Sequence, residues 1–210
     1  MEKIQNEKHF IELCDWVIKK EERFRWVLEN YDYPPLWFRS PGFDTLILTI
    51  LEQQVSLAVA RAAHNKLVQK IKIITPENLL TLSDEELRAC YFSRQKIRYA
   101  RILATEILEG RLNLEELNKL PEHEIRYRLI QLKGIGHWTI DMYVLMSLHF
   151  ADIFPSGDLA AIKAVYELKL LPEGTGKNEI IGYMERFKPY RSVATYLLWH
   201  YYLEKRNLEL

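Results

Sequence analysis

A short glycine-containing turn between two helical patterns constrains the fold of this chain more than any other feature. The segment Leu132–Thr139 reads Leu-Lys-Gly-Ile-Gly-His-Trp-Thr, and an apolar helical pattern begins at about His137. Two glycines allow a tight turn and leave backbone N–H groups uncovered, to which the positive end of the following helix dipole adds. The segment therefore predicts a helical hairpin that either merely packs or binds phosphate through its backbone without reading base sequence.

Helical spacing and helix-start signals continue along the rest of the chain, and no alternating strand pattern competes with them. Asp44 is expected to cap a long helix that reaches about Lys70, and Arg94–Leu108 has an amphipathic pattern with a basic start. Thr75 and Ser83 are typical helix caps. The 210 residues are therefore predicted to form an all-α protein of about ten helices, large enough for one domain or two small lobes.

Composition excludes several classes of protein. No window approaches 18 uninterrupted apolar residues, and the N-terminal sequence has acidic residues without the apolar stretch of a signal peptide. We therefore expect no membrane span, no targeting segment and a cytoplasmic location. Two cysteines cannot supply a four-cysteine zinc or iron–sulfur site, and the six histidines lack metal-ligand spacing. The net charge of zero disfavours a nucleic-acid protein, although a neutral total can contain a basic face.

A single carboxylate, Asp158, stands at the start of the helical pattern that follows the hairpin region. It comes directly after Pro155-Ser156-Gly157. Its simplest interpretation is a helix N-cap, for which aspartate is a preferred residue. The second interpretation is catalytic, because an ionised carboxylate stabilises a developing cation. The two roles are compatible.

The arrangement of hairpin and acid resembles the helix-hairpin-helix/Gly-Pro-Asp (HhH-GPD) DNA glycosylase superfamily. The carrying motifs are Gly134-Ile-Gly-His-Trp-Thr and, about twenty residues later, Asp152-Ile-Phe-Pro-Ser-Gly-Asp158. Within the superfamily, the 3-methyladenine DNA glycosylase II (AlkA-like) group is most similar. Residues 51–56 resemble the helix of that group that carries the DNA-wedge loop, and residues 187–199 resemble its closing helix. The likeness covers about residues 43–202, which implies a core-only form. It implies a single HhH-GPD domain over residues 1–210, with two helical lobes around a DNA-binding cleft, one at about 44–151 and one at about 1–43 plus 152–210.

The resemblance also implies roles for individual residues. Asp158 is expected to be the catalytic carboxylate. Backbone carbonyls are expected to hold a monovalent cation, Na⁺ or K⁺, beside the phosphate at Ile130, Leu132 and Ile135. The base pocket is predicted from Trp138, Met142, Tyr143 and Trp199, and DNA contacts are predicted from Gly134, Gly136, His137, Thr139, Gln53, Gln54, Arg94, Lys96, Lys163 and Arg191. Of these, Gln53 and Gln54 are candidates for a wedge that fills the gap left by a flipped nucleotide.

A structural interpretation stands beside most of these assignments. Aromatic residues at helical spacing are commonly core residues, which applies to Trp138, Tyr143 and Trp199. The glutamine pair also fits a solvated helix end, and a basic run such as the one containing Arg94 is usually a solvated face.

The function that the resemblance implies is a monofunctional glycosylase that flips out and hydrolyses alkylated purines in base excision repair. Its partner would be double-stranded DNA containing alkylated bases, and we expect a monomer located with the chromosomal DNA. Relatives that also cut the strand have a lysine where this chain has Trp138, so no lyase activity is expected, and no cofactor is required. Three alternatives stay open: a glycosylase for deaminated or oxidised bases, a non-catalytic hairpin module that only binds DNA, and an all-α scaffold or protein-interaction domain with no DNA role.

Overall fold

The computed structural model describes residues 2–208, and within this range the chain is helical. Its single β-bridge in the described part joins Lys3 and Phe150. The all-α prediction is confirmed, with more and shorter helices than expected. In chain order the helices are α1 (Glu7–Ile18), α2 (Glu22–Tyr31), α3 (Phe43–Glu52), α4 (Leu57–Ile71), α5 (Pro76–Leu80), α6 (Asp84–Ala89), α7 (Arg94–Leu108), α8 (Leu114–Leu117), α9 (Glu122–Leu129), α10 (His137–Met146), α11 (Leu159–Glu167), α12 (Lys177–Met184), the 3-10 helix η1 (Glu185–Phe187) and α13 (Arg191–Glu204).

Polar side chains begin many of these helices, because they accept hydrogen bonds from N–H groups that have no partner within the helix. Ser83 and Glu86 form a reciprocal capping box at α6. Thr75 accepts from the amide of Asn78 at α5, and Asn113 caps α8. These starts agree with the sequence pattern, since a cap depends only on residues within one turn.

The prediction of one long helix from Asp44 to about Lys70 is wrong. The structure has two helices there, because the backbone leaves the helical conformation at Gln53 and takes a positive φ of 59° at Gln54. Ser56 then caps α4 with its side chain, and Gly42 rather than Asp44 is the N-cap of α3. The apolar periodicity continues across the break, so periodicity alone does not reveal it.

The chain divides into two compact units. Residues 39–143 form one unit, and the remainder of the described chain forms the other. The sequence had placed the boundaries at about residues 44 and 151. In the 39–143 unit, α3 packs against α4 and α7, and α5 packs against α7. Its core contains fully buried aliphatic residues such as Leu46, Ile47 and Ile50.

The other unit is built around α13, which packs against α1, α2 and α11. Every residue from Ser192 to Tyr201 is buried, including the polar residues Ser192, Thr195 and His200, which form hydrogen bonds. Phe10 packs edge-to-face on Tyr196, and Phe24 packs on Phe187. Among the described residues no helix is long and apolar enough to cross a membrane.

Candidate active site

The glycine hairpin lies between α9 and α10. The amide of Ile135 donates to the Leu132 carbonyl over 3.0 Å and closes the turn, and Gly134 takes a φ of +98°. A Cβ atom at Gly134 would lie 2.1 Å from Cγ of Tyr99, so only glycine fits both the backbone and the space. Gly136 and His137 are exposed where α10 begins. The turn therefore presents backbone N–H groups and the positive end of α10 to solvent.

Gln53 supports this hairpin from within the same unit. Its Nε2 donates to the Gly134 carbonyl at 2.8 Å and to Oγ1 of Thr139 at 3.0 Å. Both donors of the amide group are therefore used inside the protein, which disfavours Gln53 as the wedge. Thr139 is buried and its hydroxyl accepts from Gln53, which disfavours the predicted contact of its side chain with DNA. Gln54 is exposed and is the remaining candidate for the wedge.

An ion-pair network joins the two helices of the hairpin. Arg126 on α9 donates to Asp141 on α10 at 2.8 Å and to Glu122 at 2.6 Å, and all three side chains are largely buried. Burial raises the pKa of Asp141 to about 6, although the Arg126 guanidinium opposes this shift. Desolvation thus outweighs the ion pair at this position.

This raised pKa predicts that the contribution of Asp141 to stability falls as pH rises from about 4 to about 6. The unfolded chain releases the Asp141 proton near pH 3.9 and the folded chain near 6, so ionisation in this window favours unfolding. Asp141→Asn should remove an effect of up to about 3 kcal/mol, because asparagine retains the acceptor for Arg126 and does not titrate. Urea unfolding of both proteins at pH 4 and pH 7 measures it. A stability difference between them that is equal at both pH values, or that changes in the opposite direction, would contradict the prediction.

Asp158 lies in the other unit and is the N-cap of α11. Its Oδ1 accepts from the amide of Ala161 at 2.8 Å and from Nε1 of Trp199 at 2.9 Å. The carboxyl group is nearly buried, since the residue retains 9% of its exposure. The capping interpretation is therefore confirmed, and the same contacts orient the carboxylate.

The loop that leads to Asp158 is tied to α13. Arg191 donates to both carboxylate oxygens of Asp152, at 2.6 and 3.0 Å, and to its carbonyl. The Ser192 hydroxyl accepts from the Ile153 amide at 2.9 Å and donates to the Phe150 carbonyl at 2.6 Å. The loop, Asp158 and Trp199 are thus all positioned by one buried helix.

An aromatic cluster surrounds the partner of Asp158. Trp199 packs edge-to-face against Trp37 and Tyr196, while the rings of Trp37 and Tyr196 stack at 5.5 Å and 9°. The Tyr196 hydroxyl also donates to the Trp37 carbonyl at 3.0 Å. The sequence reasoning missed Trp37, which follows Pro34 and Pro35 in a stretch without helical periodicity.

The other predicted pocket residues lie in the 39–143 unit. Tyr143 is completely buried, and its hydroxyl donates to Asn118 at 2.8 Å. Burial raises the pKa of Tyr143 to about 12, and in this structure its ring is part of the core. Met142 is also buried, whereas Trp138 is partly exposed in the first turn of α10.

The four basic residues predicted to contact phosphate fall into two groups. Lys96 donates to the Leu51 carbonyl at the end of α3 at 2.7 Å, and burial lowers the pKa of its ammonium. Arg191 is bound by Asp152 and Glu185. Both side chains therefore bind partners within the protein, which disfavours them as phosphate contacts. The sequence pattern does not show these partners. Arg94 and Lys163 are exposed.

The three carbonyls proposed for a monovalent cation belong to the hairpin. The Leu132 carbonyl already accepts from Ile135, and a carbonyl oxygen has a second lone pair for another partner. Neutral oxygen donors suit such an ion. The cation site stays a prediction.

Comparison of the sequence with known protein families identifies the family to which the chain belongs. Residues 47–189 match the model of the HhH-GPD superfamily base excision DNA repair protein, and the chain belongs to this superfamily.

Particular relatives agree in name. The chain is 31% identical to DNA-3-methyladenine glycosylase 1 of Schizosaccharomyces pombe over 75% of this chain and 71% of that protein. A solved 3-methyladenine DNA glycosylase of that organism, in complex with abasic DNA, is similar at a TM-score of 0.75 and 30% identity, covering 86% of this chain and 89% of the other. A DNA-3-methyladenine glycosidase from Bacillus halodurans gives a TM-score of 0.72 and 27% identity, covering 98% and 94%.

Proposed function

We propose that this protein is a monofunctional DNA glycosylase that removes alkylated purines of the 3-methyladenine type from double-stranded DNA in base excision repair. The observation that carries the proposal is the fixed, nearly buried carboxylate of Asp158, held by Ala161 and Trp199. Membership of the HhH-GPD superfamily and the names of the relatives support the substrate class. Such an enzyme acts where the chromosomal DNA is.

The mechanism begins with extrusion of the damaged nucleotide, because a base stacked in a duplex is inaccessible. The exposed amides of Gly136 and His137 hold a backbone phosphate without reading sequence. Breaking the N-glycosidic bond develops oxocarbenium character on the sugar. The Asp158 carboxylate stabilises that charge and orients the attacking water.

An alkylated purine suits a chain that offers one obvious acid. Alkylation at a ring nitrogen makes the base cationic, so it leaves with little protonation by the enzyme. Aromatic faces attract an electron-poor base, and the partly exposed Trp138 is the candidate to supply one, whereas Trp199 is buried against Trp37 and Tyr196. Met142 is not aromatic, which limits the stacking surface at that position. A monovalent cation at the carbonyls of the hairpin would add positive charge beside the phosphate.

The direct test incubates the protein with methylated duplex DNA and identifies the free bases by chromatography. We expect 3-methyladenine to be released and the strand to stay intact, since Trp138 replaces the lysine nucleophile of strand-cutting relatives. Borohydride should trap no covalent protein–DNA adduct. Preferential release of hypoxanthine or 8-oxoguanine would replace the proposed substrate, and salt-dependent DNA binding without any base release would favour the non-catalytic module.

A further inference from the structure

One side chain joins the hairpin to the loop that contains the wedge candidate. Gln53 ends α3, and its amide group donates to the Gly134 carbonyl at 2.8 Å and to the Thr139 hydroxyl at 3.0 Å. The next residue, Gln54, is exposed and has a φ of +59°. The first residue of the loop is therefore anchored both at the tightest point of the hairpin and in the first turn of α10.

Helix α7 holds the same two elements. The Lys96 ammonium donates to the Leu51 carbonyl at 2.7 Å, which secures the last turn of α3. The ring of Tyr99 occupies the space beside Gly134, where it leaves no room for a Cβ atom. The end of α3 and the hairpin are thus fastened to one another and to a common support. The end of α3 up to Gln53 cannot shift relative to the hairpin without loss of these contacts, and Gln54 is the next residue in the chain.

We infer that Gln53 is a positioning residue that couples insertion of Gln54 into the duplex to the grip of the hairpin on the phosphate backbone. The inference rests on the proposed function. The hairpin sets where the strand lies, and the distance from hairpin to Gln54 sets how far the wedge enters. A rigid connection removes the entropic cost of ordering the loop during each encounter with DNA.

Three variants test the coupling: Gln53→Met, Gln54→Ala and the double variant. Methionine retains the length of the side chain and removes both donor hydrogens, whereas Gln54→Ala removes the wedge and leaves the connection in place. The measured quantity is the preference for a duplex with a tetrahydrofuran abasic analogue over an intact duplex, obtained by fluorescence polarisation. Each single variant should reduce this preference about tenfold, the effect of losing one or two hydrogen bonds.

The double variant separates coupling from a general structural role. If Gln53 positions the wedge, then Gln54→Ala should cause almost no further loss in the Gln53→Met background, because the wedge is already displaced. Additive losses, or an unchanged preference in Gln53→Met, would overturn the inference.

If Gln53→Met does not fold at the assay temperature, Thr139→Val removes one of the two acceptors at similar volume. It should reduce the preference about threefold and show the same non-additivity with Gln54→Ala, and an unchanged preference would again overturn the inference.

Failure of the proposed function gives a different result. A wild-type protein that prefers the abasic analogue but releases no alkylated base would contradict the glycosylase proposal and leave the coupling measurable by binding alone. A wild-type protein that releases base while the three variants lose preference additively would support the glycosylase and reject the coupling.

Discussion

Asp158→Asn is expected to slow release of alkylated purines by about 10²–10³-fold, the range found when one electrostatically stabilising group is removed from a transition state. The change is almost purely one of charge. Asparagine retains an oxygen that accepts from Ala161 and Trp199, and it is as good an N-cap as aspartate. The fold, the loop and the affinity for DNA should therefore change little.

Single-turnover release of 3-methyladenine, with polarisation for DNA affinity and urea unfolding for stability, measures this result. Asp152→Asn is the matched control, since that carboxylate lies in the same loop and is bound by Arg191. It should lower the unfolding midpoint and slow base release by less than about tenfold, because the charge at Asp158 remains. Equal release rates in wild type and Asp158→Asn would reject Asp158 as the catalytic carboxylate.

Gly134→Ala should disrupt the hairpin and with it the affinity for DNA. The φ of +98° disfavours any residue with a Cβ, and the added carbon would lie 2.1 Å from the Tyr99 ring. Backbone strain and overpacking each contribute about 1–3 kcal/mol, so a loss of roughly 3 kcal/mol in stability is expected. A displaced turn no longer presents its amides together, and DNA affinity should fall by about a hundredfold.

Gly136→Ala is the comparison within the same hairpin. A Cβ atom there meets nothing within 4 Å, and φ lies outside the left-handed range that disfavours side chains. Its unfolding midpoint should match that of wild type, while its DNA affinity reports how closely a phosphate approaches that position. An unfolding midpoint in Gly134→Ala equal to that in Gly136→Ala would contradict the steric argument. Both midpoints come from one thermal or urea unfolding series.

The amino-acid sequence by itself determined the features that depend on near neighbours. The caps at Thr75, Ser83, Asn113 and Asp158 follow from side chains that bond to amides within one turn. The start of α10 at His137 follows from the glycine turn and the apolar pattern after it. The all-α fold class could be predicted for the same reason, because each of these signals involves only a few neighbouring residues.

Tertiary structure alone decided which partner each polar group takes. Gln53 and Gln54 are adjacent and identical in type, yet the first bonds to Gly134 and Thr139 and the second is exposed. Lys96 satisfies a helix-end carbonyl. These pairings join residues far apart in the chain, and no local pattern encodes them.

The acid and the hairpin differ in the same way. The neighbouring residues in the sequence are enough to predict that Asp158 caps a helix. Its hydrogen bond to Trp199 and the packing of Trp37 on Trp199 form only when α13 is buried in the core. The sequence thus specified the positions along the chain of the carboxylate and of the hairpin proposed to bind phosphate. Packing decided how rigidly each is held, because the groups that hold them come from distant helices.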